Sequence, residues 1–164
     1  MIRATKTRKP RNEKPKVQEQ DPAAQASAKA DGALFFIALP WPDSALSPNS
    51  RNRYKKAAAA AAARAYAYAE ARNAGAEAGG LPKGNLLIGL NFFPPDKKHR
   101  DLDNMVSMCK NQIDGLFQAF DTNDRWIVAT LARRGQVLPG GLVELSIFLD
   151  GANLACFGLL PIIE

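Results

Sequence analysis

The stretch that decides the fold covers residues 86–120 and reads LLIGLNFFPPDKKHRDLDNMVSMCKNQIDGLFQAF. Its first eight residues are mostly apolar and end at two prolines, a pattern that is typical of a buried strand. After a basic loop, apolar side chains recur every three or four residues from Met105 to Phe120. This spacing predicts one amphipathic helix over residues 103–120.

Working outward from this stretch, the sequence predicts three more strands and one more helix. The strands fall at residues 34–39, 126–132 and 142–149, and an alanine-rich helix extends from about Arg51 to Ala74, with Ser47 as its cap and Pro48 at its first helical position. The order β-α-β-α-β-β predicts a small α+β domain with a mixed sheet and helices packed on one face. We place this domain at residues 33–150, between a disordered basic tail at residues 1–32 and a C-terminal extension at residues 151–164 that packs on the domain or on a second subunit.

The positive charge of the chain is concentrated at its start. Residues 1–16 hold seven Lys and Arg and one Glu, whereas residues 17–164 hold 15 basic and 15 acidic residues, so the net charge of +6 belongs to the tail. A basic tail attracts phosphate backbones without reading sequence, although a solvated leader with no specific partner has the same composition.

Several classes of protein are excluded by composition. Two cysteines and one histidine exclude a disulfide scaffold, a Cys-rich zinc site and, in practice, a Ser-His-Asp triad. No run of 18 apolar residues exists, and the basic start lacks an apolar core, so neither a membrane span nor a secretory signal is predicted. We therefore expect a cytoplasmic protein.

Candidate chemistry is concentrated around Asp101 and Asp103. Two carboxylates two residues apart in an extended stretch point to one side, where a cation such as Mg²⁺ relieves their repulsion. Alternatively, Asp103 caps the second helix and Asp101 pairs with Arg100. A third acid after the helix would strengthen the metal site, and spacing alone leaves Asp121 and Asp124 as rivals for that place.

Lys110 lies seven residues after Asp103, so the two share a helix face, and its ammonium group can reach the carboxylates. Pairing of Lys110 with Asp114, four residues further on, is the competing interpretation. For phosphate contacts the sequence offers two basic groups, Arg51, Arg53, Lys55 and Lys56 before and within the first helix, and Lys97, Lys98 and Arg100 beside the acids. His99 lies in the same loop, as a phosphate contact or as a plain surface residue.

Several segments together resemble the RusA family of Holliday-junction resolvases. They are the strand that ends in LPWP at residues 39–42, LSPN at 46–49, RDLDN at 100–104, DGL at 114–116, ND at 123–124 before a strand, and GGLVEL at 140–145. The resemblance covers residues 34–149 in order, which is most of the predicted domain.

This resemblance implies a homodimeric, Mg²⁺-dependent endodeoxyribonuclease of phage or prophage type that cuts four-way DNA junctions on two strands. Its essential aspartates fall on Asp101, Asp103 and Asp124, which would hold one or two Mg²⁺, with Mn²⁺ as a substitute, while a metal-bound water attacks the phosphorus. The family's helix lysine falls on Ser107 when counted forward from Asp103, and on Lys110 when counted back from Asp114. We favour Lys110.

Two other functions are compatible with the sequence. A non-cleaving protein that binds junctions or branched DNA would keep the fold and lose the need for the helix lysine. A basic RNA-associated structural protein would need only the tail and would tolerate loss of all three aspartates.

Overall fold

The computed structural model describes residues 32–152. Apart from Gly32, the basic tail lies outside the described residues, and so does the C-terminal extension after Ala152. The described part is one α+β unit with four strands and three α-helices, which confirms the predicted fold class.

The four strands form one mixed sheet. They are β1 (Phe35–Pro40), β2 (Leu86–Phe93), β3 (Ile127–Arg134) and β4 (Leu142–Leu149), in the spatial order β1-β4-β2-β3. β4 pairs antiparallel with both of its neighbours, whereas β2 and β3 are parallel. The crossover from β2 to its parallel neighbour β3 is helical, as such a connection usually is.

The first helix, α1 (Arg53–Asn73), begins later than the sequence predicted. Ser47 does not cap it, because Ser47 follows a short 3₁₀ turn at Ser44–Leu46. The cap is Asn52, whose side chain accepts a hydrogen bond from the Lys55 backbone N–H at 3.0 Å. Asn is as good a cap as Ser, and Ser47, the predicted cap, instead ends the preceding 3₁₀ turn.

The predicted single helix over residues 103–120 is wrong in one respect, because it is broken at Cys109. The structure has α2 (Leu102–Met108) and α3 (Lys110–Ala119) instead. The Ser107 hydroxyl donates to the Asp103 carbonyl at 2.9 Å, and the Cys109 N–H bonds to the Val106 carbonyl in a 3₁₀-type turn. Serine bonds of this kind bend helices, so a local contact interrupts the helix although the apolar spacing continues across the break.

The core lies between the helices and one face of the sheet. Alternate residues of β2 and β4 point into it and are almost fully buried, namely Leu86, Ile88, Leu90, Phe92, Val143, Leu145 and Ile147. From the helices, Ala67 and Ala71 of α1 meet Leu116 and Phe117 of α3 in the same cluster. No helix in residues 32–152 is long and apolar enough to cross a membrane.

Gly115 allows α1 and α3 to cross at close range. A Cβ atom at this position would lie 2.2 Å from the Arg64 carbonyl oxygen of α1. No side chain fits there, so the packing of the two helices requires the glycine of the DGL segment, whatever the chemistry of the site.

Candidate functional site

The loops that follow β1 and β2 leave the sheet at the same end. Pro40 and Phe93, the last residues of these strands, both pair with Leu142 at the start of β4. We call residues 41–53 and 94–104 together the loop end. It brings Arg51 and Arg53 to the same end of the sheet as the basic and acidic residues 97–103, although about 45 residues of sequence separate the two groups.

Aromatic and glycine residues join these loops. The Arg100 guanidinium lies 5.4 Å from the ring centroid of Trp41, and the Trp41 ring meets Phe92 edge-on at 6.1 Å. Gly141 has φ of +72°, and a Cβ there would lie 2.8 Å from Trp41 Cβ and 2.9 Å from Pro95 Cδ. Only glycine fits this turn, so the glycines of the GGLVEL segment bring the β3–β4 connection against both loops.

Asp96 organises the basic loop, a role that the sequence analysis missed. Its Oδ1 accepts hydrogen bonds from Arg100 Nη1 at 2.7 Å and from the Lys98 N–H at 2.9 Å. The Arg100 bond and then the Lys98 bond lower the pKa of Asp96 to about 2. Arg100 therefore pairs with Asp96 rather than with Asp101. The Asp-x-x-x-Arg spacing was the signal for this pair.

Asp101 and Asp103 lie at the start of α2, and both are exposed. Asp101 occupies the cap position, but its side chain makes no capping hydrogen bond, and Asp103 is in the first turn. The Asp101 carboxylate has only loose contacts, with Asn104 Nδ2 at 3.3 Å and His99 Nδ1 at 3.8 Å. Asp103 is thus not the helix cap that the alternative interpretation proposed, and Asp101 holds the cap position without a capping side-chain bond.

Lys110 forms an ion-pair network on the other side of the helix break. Its Nζ lies 3.0 Å from Asp114 Oδ1 and 2.9 Å from Asp124 Oδ2, and Arg64 Nη2 lies 2.7 Å from Asp114 Oδ2. The hydrogen bonds to Asp124 and then to Asp114 raise the pKa of Lys110. We call these four residues the Lys110 network. Lys110 therefore pairs with Asp114, as the competing interpretation had it, and it also pairs with Asp124. The hydroxyl of Ser107, the other position considered for the helix lysine, is bonded to a backbone carbonyl.

Asp124 reaches the network through a tight reversal after α3. Asp121 adopts a left-handed conformation with φ of +52°, and the Asn123 side chain caps the 3₁₀ turn Asp124–Trp126 by accepting from the Arg125 N–H at 2.8 Å. Asp124 thus precedes the start of β3, whereas Asp101 and Asp103 follow the end of its parallel neighbour β2. The helices α2 and α3 lie between these two positions along the chain.

The other predicted phosphate ligands have different surroundings. Arg51, Arg53 and Lys55 are exposed, and Lys56 Nζ donates to the Ser47 carbonyl at 3.3 Å. The Arg53 guanidinium lies 4.9 Å from the ring centroid of Tyr54, which is 74% exposed, and donates to its hydroxyl. An exposed Arg–Tyr pair is a surface on which a base can stack, and this RY dipeptide was overlooked in the sequence.

The donor set at α2 suits Mg²⁺, the metal that the resemblance implies. Proteins usually bind Mg²⁺ through one or two carboxylates, together with waters and substrate phosphates. Asp101 and Asp103 fit such a site. No group of three or more His, Cys, Asp or Glu side chains within residues 32–152 is arranged to hold a metal ion. That Asp124 joins the other two acids stays a prediction.

No family model matches the chain. A protein of Xylella fastidiosa (strain Temecula1 / ATCC 700964) that carries the name "Uncharacterized protein" is 35% identical over 128 residues, which make up 77% of this chain and 84% of the relative. That name assigns no activity to the relative. Identity over this share of both sequences indicates common descent and the same fold, and the chain belongs to the family of this Xylella protein.

Proposed function

We propose that the protein is a Mg²⁺-dependent, structure-selective endodeoxyribonuclease that hydrolyses phosphodiester bonds in four-way DNA junctions as a homodimer, in the cytoplasm of a bacterial or phage-infected cell. One observation carries the proposal. The loop end presents two exposed, loosely held carboxylates, Asp101 and Asp103, beside the exposed Lys97 and Lys98. Acids beside bases on one surface suit a phosphodiester substrate better than a purely basic surface does, since a cation can join acid to phosphate.

Asp101 and Asp103 would hold the metal. When bound, Mg²⁺ supplies an activated water and neutralises charge that develops on the phosphate. The chain's own part is to present both carboxylates at the surface, where they are exposed. Asp96 assists, because it takes up the Arg100 guanidinium, which would otherwise compete for Asp101.

The basic residues of the loop end would position the DNA backbone. Lys97, Lys98, Arg51 and Arg53 are exposed and are the ligands we propose. Arg100 contributes less than the sequence suggested, because its charge is balanced by Asp96 and its side chain is only 23% exposed. Contacts of this kind fix the position of the protein on the DNA backbone without reading the base sequence. Selection of four-way junctions would therefore come from the shape of the DNA.

Lys110 and Asp124 are the remaining proposed catalytic residues. The hydrogen bonds to Asp124 and Asp114 raise the pKa of Lys110, so its ammonium group stays charged well above neutral pH. The hydrogen bond from Lys110 to Asp124 is made to Oδ2, which leaves Oδ1 of that carboxylate for a further ligand. We propose that Lys110 holds Asp124 in place and adds positive charge near the phosphate.

A second candidate is a non-cleaving protein that binds four-way or branched DNA. Two observations favour it. Lys110 points to Asp114 and Asp124 rather than to Asp101 and Asp103, and the three acids of one chain do not form a single group in the described residues. Such a protein would bind junctions through the same basic residues and would not need Mg²⁺.

Cleavage of a labelled four-way junction and a matched linear duplex, with Mg²⁺ and with chelator, separates these candidates. We expect junction-selective cuts that require Mg²⁺ and that fall at least about a hundredfold in Asp103→Asn. Asp121→Asn is the matched control, because Asp121 is also exposed and Asn tolerates its left-handed backbone. Junction binding without cleavage, with Mg²⁺ or Mn²⁺ and at several pH values, would support the binding protein.

A further inference from the structure

The face of the sheet opposite the three helices is partly buried. On this face lie Phe36 of β1, Leu87 and Gly89 of β2, and Ser146 and Phe148 of β4, because the residues that alternate with them point into the core. We call these five residues the back patch. Leu87 is 7% exposed, Ser146 4% and Phe148 0%. A sheet with helices on one face commonly leaves its other face in water, so burial to this degree requires a cover.

A polar row separates the back patch from the loop end. Asn91 Nδ2 donates to Glu144 Oε2 at 3.1 Å, and Arg133 Nε donates to Asn91 Oδ1. Asn91 and Glu144 are partners across β2 and β4, one row closer to the loop end than the back patch. The back patch is therefore confined to the half of this face that lies away from the loop end.

The described residues that pack on the back patch are small. Ala33 and Ala152 form a cluster with Leu87 and Phe148, and within residues 32–152 no helix residue belongs to it. A fully buried core residue typically touches about 6–12 others. Two alanine side chains are too small to enclose a phenylalanine ring, so the complete burial of Phe148 indicates a further cover from outside residues 32–152.

We propose that residues 153–164 of the same chain cover the back patch, and this proposal does not rest on the nuclease function. The segment reads NLACFGLLPIIE, and eight of its twelve residues are apolar. Residues 1–31 hold eight Lys and Arg and only three apolar residues larger than alanine, which are Met1, Ile2 and Val17. Apolar side chains gain free energy by leaving water, whereas charged ones lose it, so the back patch suits the C-terminal segment and not the tail.

The described part of the chain ends on the back patch. After β4, the Ala152 N–H bonds to the Leu149 carbonyl at 3.1 Å, and Gly151 between them has φ of +85°. This turn reverses the chain and brings Ala152 against Leu87 and Phe148. The next residue, Asn153, thus starts beside the surface that the segment would cover.

The segment is long enough to cross the back patch. Twelve residues span about 18 Å as a helix and about 40 Å when extended, whereas the four strands together are about 15 Å wide. A segment tethered at this place meets the patch at a high effective concentration and loses no translational freedom when it docks. Of the two placements that the sequence left open, on the domain or on a second subunit, these observations favour the domain.

Nuclear Overhauser effects in the full chain test the proposal directly. We expect them between methyl groups of residues 154–163 and the rings of Phe36 and Phe148. In a mixture of isotope-labelled and unlabelled protein, filtered spectra should lack these effects, because the contact lies within one chain. Effects from Ile2 or Val17 to the same rings would assign the cover to the tail, and effects that persist in the filtered spectra would assign it to a second copy. Either result, or the absence of any effect from residues 154–163, would overturn the proposal.

Paired substitutions test the same contact by the apolar surface that they expose. Leu159→Lys together with Leu160→Lys should uncover the back patch, so binding of the dye ANS should rise severalfold and the urea midpoint of unfolding should fall by about 1 M. Ile2→Lys together with Val17→Lys makes the same change at two apolar residues of the tail and should leave both quantities unchanged. Equal responses of the two double variants would contradict the proposal.

Discussion

The start of α2 and the Lys110 network each contain two aspartates, but the aspartates at α2 are exposed and loosely held, whereas those in the network are ion-paired. At the start of α2, Asp101 and Asp103 are exposed, and the contacts of Asp101 are 3.3 Å and 3.8 Å long. In the network, Asp114 and Asp124 make ion pairs of 2.7–3.0 Å with Lys110 and Arg64. Carboxylates of the first kind are available to a cation or a ligand, whereas the charges of the second kind are already balanced by Lys110 and Arg64.

The break at Cys109 separates these two regions. α2 begins at the loop end and is short, while α3 is fixed against α1 where Gly115 meets the Arg64 backbone. The Cys109 side chain is fully buried at this break, and burial raises the pKa of its thiol to about 12. The contacts of α3 with α1 thus hold the network in place.

Gly115→Ala should have the largest effect, and it acts at the crossing of α1 and α3 that carries the network. The new methyl group would meet the Arg64 carbonyl at 2.2 Å, so α1 and α3 must move apart. We expect the free energy of unfolding to fall by about 3 kcal/mol or more, as for a strongly overpacked core. Urea denaturation followed by circular dichroism measures this loss.

Gly84→Ala is the matched control for that experiment, because a Cβ there has no atom within 4 Å. Its stability should stay within about 0.5 kcal/mol of the wild type. Equal stabilities for the two variants would mean that α1 can shift without cost, and that Gly115 does not hold the network.

Lys110→Met should have the next largest effect, this time on activity. Junction cleavage should fall about a hundredfold, because Asp124 loses its cation and the site loses a positive charge. Stability should change little, since the Lys110 side chain is 64% exposed. Single-turnover cleavage, with binding measured separately, distinguishes loss of chemistry from loss of affinity.

Ser107→Ala tests the alternative position for the helix lysine. Its hydroxyl is bonded to the Asp103 carbonyl, so the variant should cleave within about threefold of the wild type. A loss as great as that of Lys110→Met would shift the assignment from Lys110 to Ser107.

Sequence reasoning predicted the strands, the element order and the fold class, because these follow from apolar patterns within short segments. It could not predict that Lys110 would turn toward Asp124, since that contact depends on a reversal at Asp121 and on the packing of α3. It missed the break at Cys109, because the apolar spacing continues across it. Arg64 was also missed, because its pairing with Asp114, 50 residues away in the sequence, depends on the helix crossing at Gly115.

The smallest effect we predict concerns Asp96, which keeps Arg100 away from the acids of α2. Its pKa in the folded protein is about 2, below the ordinary value for aspartate, chiefly because of the hydrogen bond from Arg100. A carboxyl with a lowered pKa stabilises the fold above its ordinary pKa, and that contribution is lost as the pH falls from about 4 to about 2.

In Arg100→Gln the pKa of Asp96 should rise part of the way to its ordinary value, because the Lys98 N–H bond remains. Lys97→Gln removes a neighbouring charge without touching Asp96 and should leave its titration unchanged. Carboxyl chemical shifts followed by NMR against pH measure both variants, and an unchanged Asp96 titration in Arg100→Gln would mean that the guanidinium is not committed to Asp96 and is available to pair with Asp101.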